Sequence, residues 1–203
     1  MQLTSVLENI VNDNVLHSKW LNTLSYMENA GAKKISASEH KEEVTLLILK
    51  HAAEEHRHAY YLKKQLAKLD ENLCKTYSNA ELLAPNHTKY YLNTLDVQVC
   101  RYLKDHFKLS GYDLKFAAYL FVTYAIEVRA DELYPIYQDV LTAKESRVTV
   151  KSIILEEEGH LEEMLHQLKE FSPDWEKHAQ EIIKIEQEMF SNWMTGLAKE
   201  VSN

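Results

Sequence analysis

Glu55-His56-Arg57-His58 and Glu157-Glu158-Gly159-His160 are two copies of one pattern, Glu-x-x-His, each set inside a long run of helical periodicity. Residues i and i+3 share a helix face, so each copy offers a carboxylate and an imidazole to a common point. The copies are too far apart in the chain to belong to one helix. Each follows a helical stretch that carries an inward-facing glutamate, Glu28 before the first and Glu127 before the second. Four helices, four carboxylates and two imidazoles therefore converge on paper, and the flanking residues show whether the convergence is meant.

The phase of each motif is the first check. Val44, Ile48, His51, Glu55, His58, Leu62 and Leu69 form one stripe. Val150, Ile153, Glu157, His160, Met164, Gln167 and Phe171 form another. The four motif residues thus occupy core positions with large apolar residues a turn above and below. A third match, Glu163 with His166, fails the check, because His166 lies about 240° round the helix from His160. Glu54 and His56 rotate away from the first stripe. In the run Glu156-Glu157-Glu158 only Glu157 faces inward, and the mid-helix Gly159 points away toward a helix contact.

Working outward, six helices are predicted, at about 4–30, 37–69, 86–109, 112–141, 146–170 and 173–200. The first has the stripe Leu3, Leu7, Ile10, Asn14, His17, Leu21, Leu24, Glu28, with Gly31 as its stop. Ser36 with Glu39 reads as a capping box opening the second. The stretch 70–85 is weakly patterned. The helix at 86–109 has no Glu-x-x-His and reads as a crossover that lets the two helix pairs run in repeated directions. Pro135 should kink the fourth or end its regular part. Ser172-Pro173 places proline at the first position of the last helix. The expected fold is all-α: one domain over 1–203, a four-helix bundle with a long crossover helix and an additional C-terminal helix.

Composition agrees. With 203 residues the chain is long enough for a real core, and only four Gly and three Pro disfavour a turn-rich β fold. The net charge of -8 argues against general nucleic-acid binding. Cys74 and Cys100 form no CxxC and are expected to be reduced thiols. No apolar run reaches the roughly 18 residues of a membrane span. The first residues lack the basic head and apolar stretch of a signal peptide, so a cytoplasmic location is expected.

Chemistry supplies the reason for the pattern. Four buried carboxylates repel one another, and each is costly unless neutralised. Two divalent cations balance four carboxylates and leave the imidazoles neutral, which argues for two metal ions rather than one. Carboxylate and imidazole without thiolate suit iron or manganese, including a mixed Mn/Fe pair, with zinc also compatible. Glu55 and Glu157 would bridge or chelate, Glu28 and Glu127 would be terminal, and His58 and His160 would each hold one ion. Asp131, one turn from Glu127, is the expected partner fixing an imidazole tautomer. His51 and Tyr124, each one turn from a ligand, are expected to hydrogen-bond nearby or line a cavity, against a competing role in plain core packing. Leu24, Phe121, Tyr124 and Ile153 are expected cavity walls. The competing account of all six ligands is a polar layer of salt bridges.

At these residues the chain resembles the ferritin-like di-metal carboxylate proteins. Their pattern is a Glu from each of two helices and Glu-x-x-His from each of two others, and the likeness spans about residues 5–170. It carries over to Glu28, Glu55, His58, Glu127, Glu157 and His160 only. The resemblance implies a four-helix bundle, usually iron, and chemistry with O2 or peroxide. Members include ferritins, rubrerythrins, ribonucleotide reductase small subunits, aldehyde-deformylating oxygenases and a tRNA hydroxylase. The paired CxxC of a rubredoxin-type domain is absent. The expectation is a non-haem di-iron or Mn/Fe oxidoreductase that uses O2 on a small organic substrate. Electrons would come from an external donor, since no GxGxxG cofactor motif occurs. The alternatives are a ferroxidase or peroxide-scavenging iron-handling protein, and a metal-stabilised helical binding module without turnover. The apolar face of the last helix, Ile182, Met189, Trp193 and Leu197, suits either a homodimer interface or a lid.

Overall fold

A computed structural model describes residues 3–70 and 72–202. Its described residues are all-α: α1 (Leu3–Asn12), α2 (Asn14–Ser36), α3 (Leu46–Leu66), α4 (Pro85–Phe107), α5 (Gly111–Ala143), α6 (Lys151–Phe171) and α7 (Trp175–Val201), with one 3-10 turn at Asn79–Glu81. No strand occurs among them. None of these helices is long and apolar enough to cross a membrane.

Several predicted boundaries move, each for a local reason. The first predicted helix is broken at Asp13, whose carboxylate accepts from the backbone N–H of Val15 at 2.8 Å and of Leu16 at 2.9 Å. Such a side chain offers the backbone an alternative to continuing the helix and caps the next one. Gly31 is not a stop: α2 runs through it to Ser36. Nor do Ser36 and Glu39 open a helix. The His40 ring accepts from the N–H groups of Glu42 and Glu43, holding a turn there, and α3 begins only at Leu46. Val44 is consequently exposed and outside the core stripe. Pro135 lies inside α5, which continues past it to Ala143. Helix α6 starts at Lys151 rather than 146, and α7 at Trp175, two residues beyond Pro173.

Two apolar clusters make up the core, and a polar layer separates them. One gathers Leu7, Trp20, Leu21, Leu62, Leu66, Tyr137, Val150, Ile153 and Trp193 among others. The other gathers Ile35, Ile48, Val99, Leu120, Phe121, Met164, Leu168 and Ile182. Each fully buried Leu or Ile there contributes roughly 1.5–3 kcal/mol. The order in which each helix meets the clusters gives its direction. Helix α2 passes from the first cluster to the second and α3 returns. Helix α4 carries the chain back, α5 then runs parallel to α3, and α6 parallel to α2. The second pair therefore repeats the first in the opposite sense, not in the same sense as the crossover suggested.

Helices α2 and α3 pack along each other, as do α5 and α6, while α4 and α7 pack together and against α5. Gly196 is required in α7, because a Cβ there would collide with the His87 ring of α4. A buried triad ties the same three helices. Arg129 of α5 donates from Nε and Nη2 to Glu186 of α7 at 2.9 and 2.7 Å, and the Tyr91 hydroxyl of α4 donates to Glu186 at 2.7 Å.

Candidate metal centre

The layer between the two clusters is where the sequence-predicted ligands meet. Helix α2 brings Glu28, α3 brings Glu55 and His58, α5 brings Glu127, and α6 brings Glu157 and His160. All are buried except Glu28, which is half-buried. Glu28, Glu55, His58 and Glu157 offer ligand atoms that all lie within 4.8 Å of one another, and so do Glu55, Glu127, Glu157 and His160. Glu55 and Glu157 belong to both sets. Each set could hold a metal ion, with three carboxylates and one imidazole.

Both imidazoles turn Nδ1 inward. His160 Nδ1 is 3.1 Å from Glu157, 3.7 Å from Glu127 and 3.8 Å from Glu55. His58 Nδ1 is 3.1 Å from Glu157 Oε1 but poorly aligned with it, and it has no hydrogen-bond partner although fully buried. A buried ring nitrogen with no protein partner, facing three carboxylates, can serve as a metal donor once it gives up its proton.

The outward nitrogens are held crosswise. His58 Nε2 of α3 donates to Glu156 of α6 at 2.9 Å, and His160 Nε2 of α6 donates to Glu54 of α3 at 2.9 Å. With the proton fixed on Nε2, a neutral ring presents its lone pair at Nδ1. Glu54 and Glu156 were expected to face away, and both are part of the site. The sign of them in the sequence is that each Glu-x-x-His is preceded by a further glutamate, giving Glu-Glu-x-x-His twice.

Glu28 accepts a hydrogen bond from the Tyr134 hydroxyl. His51 does lie beside the site, its ring centroid 5.1 Å from that of His160. Both its nitrogens are engaged, Nε2 with Glu163 at 2.8 Å and Nδ1 with the Tyr119 hydroxyl at 2.8 Å, so it supports the layer rather than binding in it. Asp131 is exposed and holds no imidazole. Tyr124 points elsewhere too, its ring packed edge-on against Trp175. Phase explains both: relative to Glu127, Asp131 lies about 40° and Tyr124 about 60° round the helix to one side, whereas Tyr134 is about 20° to the other. His166 is off the site as expected, exposed and paired with Glu170.

Burial pushes the Glu55 carboxyl well above the usual range, reinforced by the charge of Glu28. Burial does the same to Glu127, next to the charge of Glu157. For Glu157 burial also pushes upward, but hydrogen bonds from Glu127 and His160 and the positive charge of the nearby His58 ring outweigh it and hold this carboxyl below its ordinary value. Burial would lower both imidazoles, yet the close Glu157 carboxylate and its acidic neighbours raise His58 and His160 to about 9. These shifts favour protons on the two imidazoles and on Glu55 and Glu127.

On one side the layer is closed by a polar seam between α3 and α6. Besides the crosswise pairs it contains Arg57–Glu156, Lys50–Glu163 and the Tyr61 hydroxyl donating to the Thr149 carbonyl. On the other side, between α2, α4 and α5, a cavity of about 510 Å³ reaches Glu28, Glu55 and Glu127. Leu24 lines it as expected, with Met27, Leu95, Tyr119, Val122 and Ile126, whereas Phe121, Tyr124 and Ile153 do not. Phe121 instead packs against Phe107 and Phe171. Its mouth is at the half-exposed Lys34 and Asp96 and the exposed Val97 and Lys115.

No family model, no curated protein and no solved structure matches the chain.

Proposed function

We propose that this chain is a ferritin-like di-metal carboxylate protein and an oxidoreductase that uses O2 to oxidise a small organic molecule. The observation that carries this reading is the pair of overlapping ligand sets that share Glu55 and Glu157, each completed by one imidazole and one further glutamate. Two ions would be held, one by Glu28 and His58, the other by Glu127 and His160, with Glu55 and Glu157 common to both. The donor set fits iron, manganese or a mixed pair, and the orphaned His58 Nδ1 is what such an ion would satisfy. When bound, these ions would supply redox chemistry with O2, drawing the remaining electrons from an external donor.

The protein's own groups have separable tasks. Glu54 and Glu156 keep the ring protons on Nε2. Tyr134 orients the Glu28 carboxylate. The seam between α3 and α6 keeps water from the ligands on that side, and the apolar cavity brings an organic molecule to the carboxylates from the other. That cavity favours an organic substrate over iron itself as the substrate, since a ferroxidase needs a polar approach for a hydrated cation.

The test is metal analysis of protein purified without oxygen, followed by O2 exposure with optical spectroscopy. About two iron or manganese ions per chain are expected, with bands that develop on oxidation, and Glu55→Ala and Glu157→Ala should each lose the metal. Unchanged metal content in both variants overturns the assignment. Catalytic iron oxidation without any organic molecule, or a 12- or 24-subunit cage on a sizing column, would favour iron handling. Tightly held metal with no redox turnover would leave a binding module.

A further inference from the structure

Gly31 sits well inside α2, where a glycine costs about 1 kcal/mol relative to alanine. Nothing in the backbone demands it, since Gly31 has ordinary helical geometry. A Cβ built there would meet only Glu55 Oε2, at an ordinary 3.8 Å. What a longer side chain would do is fill the cavity beside Glu55, because Gly31 is part of its wall. The missing side chain keeps a passage open to the carboxylates.

The charges around this cavity are mostly committed. Lys34 donates to the Leu92 carbonyl at 2.6 Å and pairs with Asp96 at 2.5 Å. Arg129 is bound through Nε and Nη2 to Glu186 and through Nη1 to Glu132. Glu28, Glu55 and Glu127 are the candidate ligands. Lys115 stands exposed at the mouth. Between mouth and floor the wall is aliphatic and aromatic, with Thr123 and Cys100 as uncharged interruptions. Ligand sites of this size are typically lined in this way, with few polar groups fixing orientation.

We propose that the cavity binds an uncharged, apolar small molecule, with its reacting end beside Glu55 in the gap that Gly31 leaves. The location of the reacting end rests on the di-metal reading, while binding itself does not.

The experiment titrates the neutral dye N-phenyl-1-naphthylamine into the full-length protein, both metal-free and loaded with iron(II) under anaerobic conditions. Bound dye is then displaced with 1-octanol, octanoate or octylamine. The dye should bind both forms, and octanol should displace it at roughly tenfold lower concentration than either charged analogue. Gly31→Leu should weaken dye and octanol binding by about tenfold or more, with Gly31→Ala within about threefold of the natural chain. Val122→Phe fills the same space from α5 and should reproduce the loss if Gly31→Leu fails to fold. Absence of dye binding, or full binding in both filling variants, overturns the proposal. So does preferential displacement by octanoate that Lys115→Ala abolishes, which would make the ligand an anion. Because the dye is read on metal-free protein, failure of iron binding in Glu55→Ala and failure of the cavity are separate results.

Discussion

Glu54 and Glu156 show how much a flanking residue can matter. Each stands one position before a candidate ligand, about 100° round its helix, and reaches the imidazole of the other helix. The burial of the candidate ligands was legible because a stripe of apolar residues surrounds each of them, and a carboxylate in such a stripe needs a reason. The flanking glutamates were not, because a stripe describes one helix face and says nothing of which neighbour stands beside it. Asp131 failed for the complementary reason: one turn from Glu127 is close in sequence, but the turn overshoots toward solvent. The expected effect of Glu156→Ala is a loss of metal affinity of about 10–100-fold at the site of His58, partly recovered in Glu156→Gln, which still accepts from Nε2. Glu54→Ala should do the same at the site of His160. Competition with a fluorescent chelator measures both, and unaltered affinity in the two alanine variants would show that the crosswise pairs do not position the rings.

Among the elements, existence was easier to read than extent. The periodicity of α3, α5 and α6 marked them clearly. The break between α1 and α2 and the start of α3 were set by groups that periodicity does not register, the Asp13 carboxylate and the His40 ring, each bonding to nearby backbone N–H groups. Helix α7 was legible as an amphipathic rod, but its role was not. Its Glu186 is buried and held by Arg129 and Tyr91, fastening α7 to α5 and α4. The Arg129 guanidinium also lies 3.9 Å over the Phe190 ring. Removing one partner of a buried pair leaves the other charge uncompensated. Arg129→Ala is therefore expected to cost about 3–5 kcal/mol, whereas Arg129→Met combined with Glu186→Leu should cost far less. Denaturant unfolding of Arg129→Met, Glu186→Leu and the double variant gives the coupling. Additive losses would mean that the pair does not act as a unit.

The whole molecule is two apolar clusters with a layer of charge between them. The all-α class and a helix between the two helix pairs could be read from the chain. The opposite sense of the second helix pair and the cavity could not, because both depend on how the pairs dock. In the metal-free protein the layer keeps protons that an unfolded chain would release. The imidazoles of His58 and His160 lie above their ordinary 6.5, at about 9, and Glu55 and Glu127 lie above the usual carboxylate range. Between pH 6.5 and 9 the folded state thus binds more protons than the unfolded one, so stability falls as pH rises. His17, buried and lowered to about 4, acts only below this window. Thermal melts of the metal-free protein should show a falling midpoint from pH 6.5 to 9, and added manganese(II) should stabilise more strongly at the higher pH as it displaces those protons. A midpoint that stays level or climbs would remove protons as the balancing charge.

The two sides of the layer also differ in what can pass through them. Toward α3 and α6, the His58 ring is bonded to Glu156, itself about a third exposed at 36% and covered by Arg57. Toward α4, the greasy channel leads in. If electrons and fuel both have to reach the same pair of ions, they have separate doors: a docked donor at the imidazole edge would not obstruct a molecule arriving past Gly31.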